Sequence, residues 1–191
     1  MTRTRSSRQH TANVLGALSL VVADRMNTAV EAIATLGPSA PAALAAMHEF
    51  LDGGSVTQLS SVLGLTHSGT VRLVDRLAAE GLIERAEARD GRAVSLVLTE
   101  HGRRTAARIL RTREMSLMSA LEALSTDEVD NLAAALDTML TTVTLARAEE
   151  RSARPNDRPQ PWLCRLCDFG ACGRSEGNCP VGNAVTTSNR S

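Results

Sequence analysis

Apolar residues along this chain recur mostly at helical intervals. Between Asn13 and about Leu36, the set Leu15, Leu18, Val22, Met26, Val30 and Ile33 advances in three- and four-residue steps, predicting a helix. Gly37-Pro38-Ser39 stops it, and Ser39 is placed to cap a second helix that runs to about Leu51 and ends at Gly53-Gly54. Thr57 caps a short helix over Gln58 to Leu63, Gly64 turns the chain, and a further helix runs from about His67 to Glu80. The runs 82–86 and 93–98 are apolar or β-branched and flank a link containing Asp90-Gly91, which predicts a hairpin. A long helix over about Glu100 to Leu124 follows. Ser125 and Glu128 then form a capping box that opens a last helix, with Val129, Leu132, Leu136, Met139, Leu140 and Val143 on one stripe.

These elements predict a mainly α fold with a small β-wing. Residues 1–12 are polar and read as a flexible N-terminal arm, and 13–150 as one domain. Residues 151–161 hold three prolines and no large apolar side chain, which makes them a linker, and 162–191 form a cysteine-rich tail. No internal repeat is present. Aromatic residues are scarce, two Phe, one Trp and no Tyr, so the core must be filled by Leu, Ala, Val and Met, a composition suited to packed helices. The apolar stretch after Asn13 is broken by Asp24 and Arg25, so neither an export signal nor a membrane span is expected, and the chain reads as cytoplasmic.

Net charge is zero, but its distribution is uneven. Residues 66–113 carry 10 Arg against 6 acids, whereas 114–150 carry 1 Arg against 8 acids. A basic middle beside an acidic helical segment is expected where one part faces DNA and another faces elsewhere. In the stretch TQLSSVLGLTHSGTVRLVDRL, Leu59, Val62 and Leu63 give the first helix an inward face, and Leu73, Val74 and Leu77 pin the second. Thr66, His67, Ser68, Gly69, Thr70 and Arg72 remain around the N-terminal turns of that second helix. Such a terminus can enter the major groove, while Arg72 and Arg76, one turn apart, are placed to hold phosphates.

The run GLTHSGTVRLVDRLAAEGLIER, followed by RDGRAVSLVLTEHGRR, resembles the MarR family of bacterial winged helix-turn-helix regulators. The matching positions are Arg72-Leu73-Val74-Asp75-Arg76-Leu77, Gly81-Leu82-Ile83-Glu84-Arg85, Asp90-Gly91-Arg92 and Leu98-Thr99. The resemblance covers roughly residues 13–150 and implies long N- and C-terminal helices used for dimerisation. It further implies a helix from Ser68 to Glu80 that reads the major groove, with Arg92 and Arg89 entering the minor groove and Asp90 bracing the wing. Where the family has an apolar residue six after the turn glycine, this chain has Thr70 and then Val71. Either Val71 turns inward and Thr70 outward, or the helix is rotated. The candidate DNA contacts are therefore Thr66, His67, Ser68, Thr70, Val71, Arg72, Arg76, Arg89 and Arg92. A homodimeric repressor on a palindromic operator is expected, with double-stranded DNA as partner and, as its signal, either a small-molecule effector between the dimer helices and the winged part or the redox or metal state of Cys164, Cys167, Cys172 and Cys179.

All four cysteines fall within 16 residues, spaced Cys164-x2-Cys167-x4-Cys172-x6-Cys179. Chain context disfavours stable disulfides, and thiolates two residues apart can chelate one ion, with Gly170, Gly173 and Gly177 easing the longer loops. The expectation is one metal site on these four residues, holding zinc or, on its uneven spacing and final Cys-Pro, an iron–sulfur cluster; zinc is placed first. Alternatives of a different class are a redox or electron-transfer protein built around the tail, and a winged helix that binds only proteins. Catalysis is not expected: there is no phosphate-binding loop, no dinucleotide fingerprint and no histidine near the cysteines.

Overall fold

A computed structural model describes residues 2–31, 33, 36–87, 94–153 and 160–188. It is mainly helical, with one two-stranded antiparallel wing. Helix α1 spans Thr2–Glu31, so the stretch expected as an arm is continuous with it. Its apolar stripe is progressively covered along the chain: Leu15 and Leu18 are exposed, Val22 and Met26 half-buried, and Val30 buried. Helix α2 (Ala40–Ala46) is buried along its length and widens into a π-helical turn, Met47–Leu51. Ser39 precedes α2 without donating or accepting a side-chain cap bond.

Helix α3 (Val56–Leu63) begins two residues before the predicted start. Ser55, not Thr57, caps it: the Ser55 hydroxyl accepts from the Gln58 N–H, and the Gln58 side chain accepts from the Ser55 N–H at 2.8 Å. Gly64 ends α3 in the left-handed region at φ 66°, where a Cβ would be strained. Helix α4 (His67–Ala79) follows, and β1 (Ile83–Glu87) pairs with β2 (Val94–Leu98) in the register Ile83 to Leu98. Gly53 and Gly54 do more than terminate a helix. The Gly53 N–H donates to Leu96 and the Leu96 N–H to Gly54, both at 2.8 Å, which seats this segment beside β2.

Helix α5 (Glu100–Met118) packs on α1 and α2, and α6 (Thr126–Ala153) opens with the expected Ser125–Glu128 box. After the linker, a 3-10 turn (Leu163–Leu166) packs on α2 and a final helix, α7 (Pro180–Ser188), packs on α6. Leu44, Met47, Leu59, Leu73, Leu77, Ile83, Leu96, Leu98 and Ile109 form a core shared by α2–α5 and the wing. Among the described residues, no helix is long and apolar enough to cross a membrane.

One contact joins α5 to the wing. Thr99 caps α5 by accepting from the Gly102 N–H at 2.9 Å while its hydroxyl donates to the Gly81 carbonyl at 2.6 Å. Gly102 then lies directly against the Leu82 carbonyl, and a Cβ there would collide with that backbone atom. That carbonyl is backbone and cannot rotate away, so Gly102→Ala is expected to destabilise the domain by about 1–3 kcal/mol, the usual cost of overpacking. Urea denaturation of both proteins checks this; an unchanged midpoint would show that α5 can shift at no cost.

Candidate nucleic-acid interface and the tail behind it

The N-terminus of α4 is built to leave its first turns open. Thr66 is extended, and its hydroxyl accepts from the Gly69 N–H at 3.1 Å, fixing the helix start. Thr66, His67 and Ser68 are exposed, Val71 is half-buried, and Arg72 and Arg76 are exposed one turn apart. The positive end of the helix dipole and two guanidiniums therefore share one surface.

Thr70 does not belong to that surface. It is fully buried, and its hydroxyl donates to the Thr66 carbonyl at 3.0 Å. Threonine has the shape of valine, so once the hydroxyl is satisfied by its own helix, Thr70 fills the inward slot that an apolar residue would occupy. Thr70 is thus removed from the candidate contacts, and Val71 lies beside the surface rather than in the core.

Asp75 is the acid that could spoil this face. It is paired with Arg85 on β1 at 2.6 Å, which neutralises it and ties α4 to the wing. Spacing could not have identified this pair, because the two residues meet only once β1 folds back beside α4. The wing residues Arg89, Asp90 and Arg92 lie outside the described residues.

Behind the helix-turn-helix sits the tail. The Trp162 N–H donates to the Val62 carbonyl at 2.8 Å, and the Phe169 N–H donates to the Glu49 carboxylate at 2.8 Å. Phe50, from the π-helical turn, lies between the two rings, stacked on Phe169 at 5.1 Å and on Trp162 at 5.9 Å. These are all three aromatic residues of the chain.

The expectation of a metal site at Cys164, Cys167, Cys172 and Cys179 is corrected. Among the described residues, no group of three or more His, Cys, Asp or Glu side chains is arranged to hold a metal ion, so neither zinc nor an iron–sulfur cluster is assigned. The four thiols are free and each has a protein partner. Cys172 donates to the Phe169 carbonyl at 3.6 Å, Cys179 accepts from the Gly182 N–H at 3.4 Å, and Arg174 lies 3.9 Å from the Cys164 sulfur. Ring stacking and backbone bonds hold these short loops.

The 3-10 turn brings Cys164 and Cys167 together, with the Cys167 N–H donating to the Cys164 carbonyl at 3.1 Å. A hydrogen bond from Cys164 holds the Cys167 thiol down to about 6, against a burial effect that opposes it, with Arg113, Arg165 and Arg174 lowering it further. Cys164 is pushed upward, chiefly because it keeps the shared proton, and burial pushes Cys172 upward.

A sequence model of the MarR family matches residues 34–93, the stretch from before α2 to the residue before β2. The fold is similar to that of a MarR family protein from Bacillus stearothermophilus, with 28% identity and a TM-score of 0.60 over 71% of this chain and 97% of that one. It is also similar to the YusO protein from Bacillus subtilis, at 22% identity, a TM-score of 0.60, and 75% and 96% coverage. A third likeness is MepR, a transcription regulator of the Staphylococcus aureus multidrug efflux pump MepA, at 17% identity, a TM-score of 0.61, and 69% and 97% coverage. No protein of curated function matches the chain.

Because a thiolate is the nucleophile, alkylation of Cys167 by iodoacetamide is expected to rise through a midpoint near pH 6 and level off above it. Peptide-resolved mass spectrometry across a pH series measures this. A Cys167 profile still climbing above about pH 8, as an ordinary thiol does, would remove the proton-sharing account of the pair.

Proposed function

Starting from a chain that has the winged helix-turn-helix fold of the MarR family, we propose that it is a sequence-specific transcriptional regulator acting as a homodimer on a palindromic operator, in the sense of a repressor. The likeness is to regulators, not to enzymes. The observation that carries the proposal is the open α4 terminus: Arg72 and Arg76 stand on an exposed face whose acid, Asp75, is neutralised from the wing. Thr66, His67, Ser68 and Val71 are the proposed groove-facing residues, Arg72 and Arg76 the phosphate contacts. Arg89 and Arg92 are assigned to the minor groove, with Asp90 bracing them.

The dimer is supported by two unpartnered stripes. Val14, Leu15, Leu18 and Val21 on α1, and Leu136, Met139, Leu140 and Val143 on α6, are exposed in the single chain. Burying such stripes against a second copy would place two α4 helices on one DNA face.

A change in DNA affinity would follow from a small-molecule effector, as the resemblance to the MarR family implies, or from oxidation at the tail. The second route is favoured by one observation, the tight turn that brings Cys164 and Cys167 together, with the Cys167 N–H donating to the Cys164 carbonyl at 3.1 Å and both thiols free. A peroxide would take two electrons and two protons from the two thiols, joining the sulfurs and leaving two waters. If Cys167→Ser still releases DNA normally on peroxide treatment, the oxidation route is wrong.

Fluorescence anisotropy with fragments of the gene's own upstream region tests DNA binding. Arg72→Ala and Arg76→Ala are each expected to weaken binding across sequences and to lower the log–log salt slope by about 1. Absence of salt-dependent binding to every fragment would overturn the proposal. For the dimer, Leu140→Glu is expected to shift the chain to a monomer in sedimentation velocity and to abolish cooperative operator binding; a dimer that persists unchanged would place the interface elsewhere.

A further inference from the structure

Helix α6 is exposed along most of its length. Among the described residues, its one buried residue is Thr144, and the element it packs on most extensively is α7, which belongs to the tail. Toward the helix-turn-helix it faces a cavity of about 600 Å³, lined by Thr144, Arg147 and Arg151 of α6 and, from the other side, by Phe50 and Ser61. Close packing of side chains is what normally fixes the angle between two helices. Here open space separates α6 from α3, and the tail spans it.

The shortest link across is a single peptide group. The Pro161 carbonyl accepts from a terminal nitrogen of Arg147, on α6, at 2.7 Å. The N–H of the same peptide group, that of Trp162, donates at 2.8 Å to the carbonyl of Val62 in the last turn of α3. In a trans peptide the carbonyl and the N–H point in opposite directions from one rigid plane. The two bonds therefore form a strut from α6 to α3 whose only rotatable part is the Arg147 side chain. That side chain is itself held, because its Nε donates to Gln160 at 3.1 Å. Gln160 in turn donates to Glu150, also on α6, at 3.4 Å.

Beyond the strut, the tail is seated on the helix-turn-helix and the turn before it. The Phe169 N–H donates to Glu49, Phe50 stacks between Trp162 and Phe169, and Leu166 packs against the core. Helix α7 then returns to α6 and buries Ala184. The tail thus holds α6 at both ends of its own course and the helix-turn-helix in between. Attached in this way, α6 cannot swing about the link from α5 without breaking one of these contacts. The direction of α6 matters because it carries the exposed stripe of Leu136, Met139, Leu140 and Val143. Two α4 helices joined through such stripes would meet DNA at a separation set by the angle of each helix-turn-helix to its own α6.

We propose that the tail is a brace that fixes the direction of α6 relative to the helix-turn-helix, and that Arg147 is a positioning residue through which the dimer selects its half-site spacing. The selection of spacing rests on the reading of the chain as a dimeric operator-binding regulator; the brace itself does not. Arg147 acts on α4 only through the Pro161–Trp162 peptide group and α3. A braced dimer presents its two α4 helices at one separation, already organised for binding. An unbraced one adapts to several separations, and it must lose that freedom each time it binds.

The test uses the full chain and two substitutions at opposite ends of the brace. Arg147→Met keeps an aliphatic stem and removes the donors, and Phe169→Leu removes the ring stacked on Phe50. The first readout needs no DNA: X-ray scattering is expected to give each variant a larger radius of gyration, at unchanged oligomeric state and circular dichroism. The second is anisotropy with the footprinted operator, a copy lengthened by two base pairs between its half-sites, and a single half-site. The unmodified chain is expected to prefer the operator over the lengthened copy by about 100-fold and each variant by about tenfold, with half-site binding unchanged. Because the two ends act in series, the double variant is expected to match the single ones rather than to multiply their effects. Unchanged scattering in both variants overturns the brace. Changed scattering with an unchanged spacing preference overturns the selecting role of Arg147, as does an equal loss of affinity for operator and half-site. If the unmodified chain binds no DNA, the regulator reading fails, and scattering alone decides the brace.

Discussion

The Leu82 carbonyl accepts from both the Thr99 N–H, at 3.1 Å, and the Thr99 hydroxyl, at 3.2 Å, while Gly102 rests against it. The Leu82 N–H in turn bonds to Leu77, the last buried residue of α4. One residue therefore registers the C-terminus of α4, the root of the wing and the first turn of α5. Each of these would otherwise pivot independently about its loop. The angle at which α4 meets a partner is thus set by backbone atoms with no rotamer freedom, which is the rigidity that a precise contact surface requires.

Much of this domain was legible because its signals are local. The α3–Gly64–α4 unit, the wing strands and the Ser125 box each rest on residues a few positions apart, and the structure reproduces them within two or three residues. What escaped depends on distant partners. Gly53 and Gly54 read as a helix stop, yet their backbone pairs with Leu96; the cue, two glycines after an acid, is the same for both roles. Asp52 shows the same limit, since its carboxylate accepts from the Leu98 N–H and lies 3.6 Å from Arg103. Thr70 was ambiguous because hydropathy treats threonine as polar, whereas a hydroxyl bonded within its own helix leaves only a methyl-bearing surface to pack.

The cysteine tail misled for a related reason. Clustered thiols at close spacing are compatible with chelation, but spacing says nothing of competing partners. Here the sulfurs are engaged by a carbonyl, an N–H, a guanidinium and each other. The residues that organise the tail are its aromatics and the carboxylate of Glu49, which lies 120 positions from its partner Phe169. No pattern within the tail could have pointed to that partner.

That separation has a consequence. The tail follows its seat in the chain, and that seat consists of the Val62 carbonyl, the Glu49 carboxylate and the Phe50 ring, all within the helix-turn-helix and the turn before it. Contacts this distant in sequence must offset the entropy of closing a long loop, which the three contacts of the seat do together. A chain whose α3 has gone astray offers it no seat. The tail is thereby tied to the integrity of α3 and of the π-helical turn, and a change that displaces either one removes its anchor as well.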